Sequence, residues 1–276
     1  MTKMQATIAQ ELGVKSQIVP HDEIQHRVTF LQEYLIDSGA EGYVLGISGG
    51  QDSCLAGRLC QMAVEELRAR DPKPYVFIAL RLPYGSQHDE ADAQRALEFI
   101  GPDRVYTVNI QSAVDGAVSA FEAATGVTMS DYNKGNQKAQ QRMTVHYRIA
   151  CQFNLLVVGT DHAAEAVTGF FTKFGDGGVD VTPLSGLSKR QGRQLLEVLG
   201  ADQKILNKVP TADLLDDRPG QTDEAELGLG YPIIDDFLEG QEVSDEAAAM
   251  IIRRYQATRH KRHLPVTPWE TWWRES

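Results

Sequence analysis

Four short apolar runs, each followed by a stretch with helical spacing, set the rhythm of the first 160 residues. They lie at Tyr43–Ile47, 75–80, 104–110 and 155–159. Apolar runs of this length suit strands buried on both faces, as parallel sheets require. Ahead of the first, Ile24, Val28, Leu31 and Leu35 form one stripe at helical spacing, with Asp22 placed to cap it. After it, Leu55, Leu59, Met62, Ala63 and Leu67 mark a helix that Asp71-Pro72-Lys73-Pro74 ends. Further helices are expected over 89–100, 113–124, through Met143, Tyr147 and Cys151, and over 189–199, 235–240 and 244–258. Strand then helix, four times over, predicts an α/β fold: a parallel twisted sheet with helices on both faces, Rossmann-like in outline. No Gly/Ser/Pro linker divides the chain, so residues 1–276 are expected to form a single domain.

Chemistry enters where the first run ends. Ser48-Gly49-Gly50-Gln51-Asp52-Ser53 follows the strand directly and opens the next helix. Strand, glycine turn and helix start together aim free backbone N–H groups at an anion. Ser48 and Ser53 add hydroxyls, and Asp52 adds a carboxylate suited to holding Mg2+ against phosphates. The common phosphate loop ends in Gly-Lys-Ser/Thr; this one has no lysine and is shorter. The string resembles the pyrophosphate loop of the ATP pyrophosphatases, which release pyrophosphate and leave AMP on a substrate.

Other segments offer groups with more than one reading. Arg81 follows the second run, where it is either a ligand contact or a salt-bridged loop residue. Thr160-Asp161-His162-Ala163-Ala164-Glu165 follows the fourth run, and Glu165 paired with Asp52 would complete a Mg2+ site. Alternatively, Asp161 caps a helix and Glu165 complements its dipole. Three aromatic residues, four glycines and a lysine fill 169–178, a composition expected of a mobile loop that stacks on a ring and closes. Lys189 sits just after the candidate cap Ser188, where a cation opposes the helix dipole, so it reads as a phosphate ligand.

Composition narrows the classes. Net charge is −11 with a sequence pI of about 5.1, which disfavours broad nucleic-acid or anionic-membrane binding. The one basic run, Arg259-His260-Lys261-Arg262-His263, is too short to reverse that. Cys54, Cys60 and Cys151 match neither a Cys-x-x-Cys pair nor a zinc pattern, and reduced thiols in a cytoplasmic protein are expected. No apolar signal core or transmembrane-length run is present. Trp269, Trp272 and Trp273 are expected to dock on the surface.

Taken together, 45–53, Arg81-Leu82-Pro83-Tyr84-Gly85, 159–166, 168–178, Lys189-Arg190-Gln191-Gly192, Pro210-Thr211-Ala212-Asp213-Leu214 and His260-Lys261-Arg262 resemble bacterial ammonia-dependent NAD synthetase over the whole length. The resemblance implies an adenine nucleotide alpha hydrolase-like fold and a homodimeric ligase without a glutamine amidase domain. Its substrates would be ATP, ammonia and nicotinic acid adenine dinucleotide. By the same resemblance Gly46, Ile47, Ser48, Gly49, Gly50, Gln51, Asp52, Ser53, Arg81, Gln87, Thr160, Lys189 and Thr211 would bind ATP, and Asp52 and Glu165 would hold Mg2+. Phe170, Lys173, Asp180, His260 and Lys261 would contact the dinucleotide, with Asp176 near the ammonia and, with Lys189, catalytic. One departure is Gln140, which stands where the family usually has a dinucleotide-binding arginine.

Overall fold

In a computed structural model describing residues 2–85, 90–209 and 222–274, the four apolar runs pair as one parallel sheet. In chain order come α1 (Lys3–Glu11), α2 (Pro20–Ser38), β1 (Gly42–Gly46), α3 (Gln51–Arg70), β2 (Val76–Arg81) and α4 (Glu90–Ile100). Next are β3 (Arg104–Thr107), α5 (Gln111–Thr125), α6 (Asp131–Phe153), β4 (Leu156–Val157), α7 (Ala163–Thr168) and α8 (Lys189–Val198). Then follow α9 (Gln203–Leu206), α10 (Asp223–Leu227), α11 (Tyr231–Leu238), α12 (Asp245–Ala257) and 3-10 turns at Arg259–Arg262 and Trp272–Arg274.

The strand order is β3-β2-β1-β4. Tyr43 of β1 pairs with Phe77 on one side and Leu156 on the other. The chain builds outward from β1 to β3 and then returns across the sheet to β4. Its direction therefore reverses between β1 and β4, and open α/β sheets bind ligands in the crevice beyond the strands' carboxyl ends at such a point.

The inner strands β1 and β2 are buried on both faces, which explains why their sequences do not alternate with polar residues, whereas the edge strand β3 is largely exposed. On one face Tyr43, Leu45, Phe77 and Ala79 pack with Val28, Leu31, Leu59 and Leu195 from α2, α3 and α8. On the other, Val44, Ile78 and Leu80 meet Val114 and Ala150 from α5 and α6. A separate cluster, with Ile8, Val167, Ile234, Phe237 and Ile251, ties α1, α7, α11 and α12 together. It fixes the C-terminal half beside the carboxyl end of β4.

Several elements differ from expectation for local reasons. α2 starts at Pro20 with Val19 at its N-cap, so Asp22 lies in the first turn instead of capping. Proline suits that start because its missing N–H would have no helical partner there. β4 is only two residues long, because Val158 bridges to Val181 beyond the sheet. The polar segment around 133–141 is helical, part of one 23-residue helix capped by Ser130. Trp272 does dock, stacked on His263 at 4.0 Å, but Trp269 is 89 % exposed. Among the described residues, no helix is long and apolar enough to cross a membrane.

Candidate active site

A cavity of about 410 Å³ opens beyond the carboxyl ends of β1 and β4. Its floor is the glycine turn. Gly49 has φ +83°, and a Cβ there would lie 2.9 Å from the backbone N of Ala93, so only glycine lets this turn pack against α4. Ser53 Oγ donates to the Gly50 carbonyl at 3.0 Å, and Ser48 Oγ accepts from the Gly50 N–H at 3.2 Å. α3 begins at Gln51 with no side-chain cap. The N–H groups of its first turn are thus left for a ligand.

Above the turn lies an ionic cluster drawn from three segments. Lys189 Nζ donates to Asp52 Oδ2 at 2.6 Å. The lysine is held by its own helix start: Ser188 and Gln191 form a capping box, and Asp235 accepts from the Lys189 and Arg190 N–H groups at 2.9 and 2.8 Å. Burial works to raise the pKa of Asp52, but the Lys189 charge and hydrogen bond outweigh it and hold the carboxyl below its ordinary range. Burial likewise opposes the charge on Lys189, yet Asp52 and Glu165 raise its pKa, so it stays cationic. Glu165, with Lys189 nearer to Asp52 than to itself, is pushed well upward by burial and then by the charges of Asp52 and Asp161.

Asp161 is raised to about 7 by burial, with Asp176 and Asp52 adding repulsion. In the unfolded chain it titrates near 3.8, so the folded protein binds the extra proton between those values. Stability from that proton is present below pH ~4 and is lost as pH rises through about 7. Asp161→Asn removes the titration while keeping the shape. Its thermal midpoint should equal that of the parent near pH 4 and gain on it progressively toward pH 8. A difference that stays constant with pH would contradict this.

The segment after α7 forms the far wall. Thr172 N–H donates to Asp176 Oδ1 at 2.9 Å, and the Gly175 and Gly177 N–H groups donate to the Thr172 carbonyl at 2.9 and 3.0 Å. Lys261 Nζ donates to the carbonyls of Gly169 and Phe171 at 2.8 and 2.7 Å. Thr172 Oγ1 donates to Asn136 of α6 at 2.6 Å. The aromatic segment is therefore a compact, cross-linked turn folded over the cavity.

Most of the sequence-derived residues converge here. Gly46, Ile47, Ser48, Gly50, Gln51, Asp52, Ser53, Thr160, Glu165, Phe170, Asp176, Lys189 and Lys261 line the cavity, and Gly49 backs it. Arg81 lies outside the lining, its guanidinium paired with Glu90 at 2.7 and 2.6 Å. Asp180 also lies outside the lining; its carboxylate accepts from the Val157 N–H at 2.8 Å and the Tyr147 hydroxyl at 3.1 Å. Lys173 Nζ donates to the His260 carbonyl at 2.7 Å, and the His260 side chain is exposed. Gln87 and Thr211 fall outside the described residues. Gln140 is exposed on α6, whereas Arg142 reaches the cavity and donates to the Leu82 carbonyl at 3.2 Å.

Two histidines went unassigned in the sequence. His146 lines the cavity beneath Gly46, and burial followed by the charge of Arg142 lowers its pKa to about 4. His162 lies 3.7 Å from both Asp52 and Glu165, and burial lowers its pKa to about 4 against the pull of Asp52. The available signal for His162 was its place three residues before Glu165, one helical turn away.

A glycine turn and uncapped helix at the reversal point of a parallel sheet mark a nucleotide-binding α/β protein, and its similarity to solved NAD synthetases places it in the adenine nucleotide alpha hydrolase type. Within that class, the sequence profile described as "NAD synthase" matches residues 23–265. The chain belongs to the NAD synthase family. It is 57% identical over 272 residues to the NH(3)-dependent NAD(+) synthetase of Halalkalibacterium halodurans, covering 98% of this chain and 100% of that one. The NAD+ synthetase of Burkholderia pseudomallei superposes with a TM-score of 0.82 at 48% identity, covering 95% of this chain and 96% of that one. The NMN synthetase of Francisella tularensis superposes at 0.78 with 37% identity, covering 92% and 100% respectively.

Proposed function

We propose that this cavity amidates nicotinic acid adenine dinucleotide with ammonia to give NAD, at the expense of ATP, releasing AMP and pyrophosphate. The Asp52–Lys189 pair and Glu165, set above the glycine turn and facing the aromatic segment that carries Asp176, are the observation that carries this reading. Near-complete alignment with relatives named for the same reaction supports it.

The chemistry follows from the leaving groups. A carboxylate is a poor acyl donor because oxide would have to leave. One carboxylate oxygen of the nicotinate therefore attacks the α-phosphorus of ATP, the bond to the bridging oxygen breaks, and pyrophosphate departs. Ammonia then attacks the acyl carbon, AMP leaves with the former carboxylate oxygen, and the nitrogen sheds one proton. The α3 N–H groups and Lys189 stabilise charge on the departing pyrophosphate. Gln51, Thr160 and the two serines orient the nucleotide. The aromatic segment, with Phe170 against the nicotinate end and Lys261 behind it, keeps water from the adenylate.

A divalent ion suits this donor set. Asp52 and Glu165 approach each other closely enough that burial and mutual repulsion raise the pKa of Glu165, a strain that a cation relieves. Mg2+ held by these two carboxylates would neutralise phosphate charge. We further propose a single domain over 1–276, a cytoplasmic location and a homodimer. Exposure of Val105, Phe121, Val127 and Tyr132 in and around β3, α5 and α6 supports the dimer.

The decisive experiment incubates purified protein with Mg-ATP, ammonium and candidate acids, and follows AMP and pyrophosphate. Product is expected with the dinucleotide, and far less with nicotinic acid mononucleotide or with glutamine in place of ammonium. A preference for the mononucleotide would transfer the activity to the NMN synthetase type. Asp176, whose pKa burial raises against the hydrogen bond from Thr172, is the group placed to take the proton from ammonium. Asp176→Asn should cut turnover about 10²-fold at neutral pH and recover part of it at higher pH, where free ammonia is abundant. Full turnover with ammonium at pH 7 would remove that role.

A further inference from the structure

We propose that His162 is a third ligand at the Asp52–Glu165 site, so that the nucleotide-free protein binds a divalent first-row transition ion through mixed nitrogen and oxygen donors. This rests on the reading of Asp52 and Glu165 as metal-binding carboxylates given above.

Four observations carry it. His162 is only 3 % exposed, and neither of its ring nitrogens has a hydrogen-bond partner. Buried polar groups are normally satisfied, so an orphaned imidazole marks a site that something else completes. Its Nε2 lies 3.7 Å from Asp52 Oδ1 and 3.7 Å from Glu165 Oε1, with one donor atom from each of the three residues within 4.8 Å of the others. That spacing is too long for hydrogen bonds. Around a common ion with ligand bonds of about 2.1–2.2 Å, it corresponds to an angle of about 120°. Third, Lys189 engages Asp52 through Oδ2, which leaves Oδ1 facing the imidazole, so an ion enters without breaking the existing pair. Finally, Tyr231 lies tilted beside the His162 ring at 6.2 Å, but its hydroxyl donates to Asp223 and offers the imidazole nitrogens nothing.

The donor chemistry sets the class of ion. Mg2+ prefers oxygen, whereas imidazole favours first-row transition ions, with Mn2+ at the oxygen-tolerant end of that series. His162 thus gives Mn2+ and later ions an advantage before nucleotide arrives, while Mg2+ relies on the two carboxylates.

Pulsed electron paramagnetic resonance on the nucleotide-free full chain with MnCl2 tests this directly. Bound Mn2+ should show nitrogen modulation of imidazole type, and protein labelled with 15N-histidine should change that modulation. His162→Gln should abolish the nitrogen signal and weaken Mn2+ at least about tenfold, while Mg2+ affinity stays within twofold. Mn2+ bound without nitrogen coupling in the parent protein overturns the role of His162 and leaves the carboxylate site standing. Failure of Mn2+ to bind the nucleotide-free protein overturns this inference, while the carboxylate reading is tested separately by Mg2+ binding with ATP present. Because the labelled parent protein reports the ligand without any substitution, the test does not depend on the folding of the variant.

Discussion

Lys189→Ala should lower kcat by about 10²–10³-fold, with a much smaller change in the KM for the dinucleotide. Lys189 Nζ is 2.6 Å from Asp52 Oδ2 and its side chain is nearly buried. It occupies the first position of α8, where the backbone dipole disfavours a cation. Helix stability therefore gives no reason for a lysine, whereas the proposed departure of pyrophosphate does. Its raised pKa keeps the ammonium charged across the working range. Removing it takes away that stabilisation and leaves Asp52 buried without its partner, a loss that also destabilises the fold. Lys189→Arg restores charge but not the compact ammonium geometry, and recovers only part of the rate. Single-turnover release of pyrophosphate separates this step from product release. A Lys189→Ala enzyme within tenfold of the parent in that assay would show that the lysine only pairs with Asp52. Pairing Lys189→Ala with Asp52→Asn in a thermal-unfolding cycle would measure the coupling between the two residues.

The turn at Gly46–Ser53 was legible in sequence because everything that makes it is local: an apolar strand, glycines and a helix start within a dozen residues. The parallel sheet was legible for a similar reason, since strands buried on both faces have no polar alternation to blur them. Residues that depend on distant partners were harder to read. Arg81 follows β2 like a ligand contact, but its partner Glu90 reaches back from α4 and takes up the guanidinium. Asp180, which the resemblance alone links to the dinucleotide, closes the edge of β4 by accepting from the Val157 N–H. His162 is followed by Ala163 and Ala164, beside which a core histidine would be equally at home. Only the fold shows that its nitrogens lack partners and face two carboxylates that lie 110 residues upstream and three residues downstream in sequence. The cap of α2 at Val19 was hidden because an aspartate two residues into a helix looks much like an N-cap until Pro20 is seen to start it.

Among the described glycines, Gly42→Ala should be the most damaging single-methyl change, although it lies far from any chemistry. A Cβ at Gly42 would stand 1.8 Å from the carbonyl oxygen of Val76 and 2.8 Å from its carbon. These are backbone atoms of the paired strand: Gly42 is in register with Val76, and the Val76 N–H donates to Glu41 at 2.9 Å. No side-chain rotation relieves such a contact, so β1 and β2 must part. β1 is an inner strand, with Tyr43, Val44 and Leu45 all buried against both layers of helices. Its displacement costs more than about 4 kcal/mol, in the range reserved for broken cores. For a chain of this size that is a fall in thermal midpoint of more than about 7 °C. Any folded fraction should also turn over slowly, because β1 delivers the glycine turn, and a shift near 1 Å there costs about 10² in rate. Gly116→Ala supplies the contrast. Its Cβ would meet nothing within 4 Å in the middle of α5, so the same methyl should stabilise by about 0.5–1 kcal/mol. A Gly42→Ala protein melting within 5 °C of its parent would mean that the two strands pair more loosely than their register indicates. In that case β1 would not be what holds the phosphate-binding turn in place.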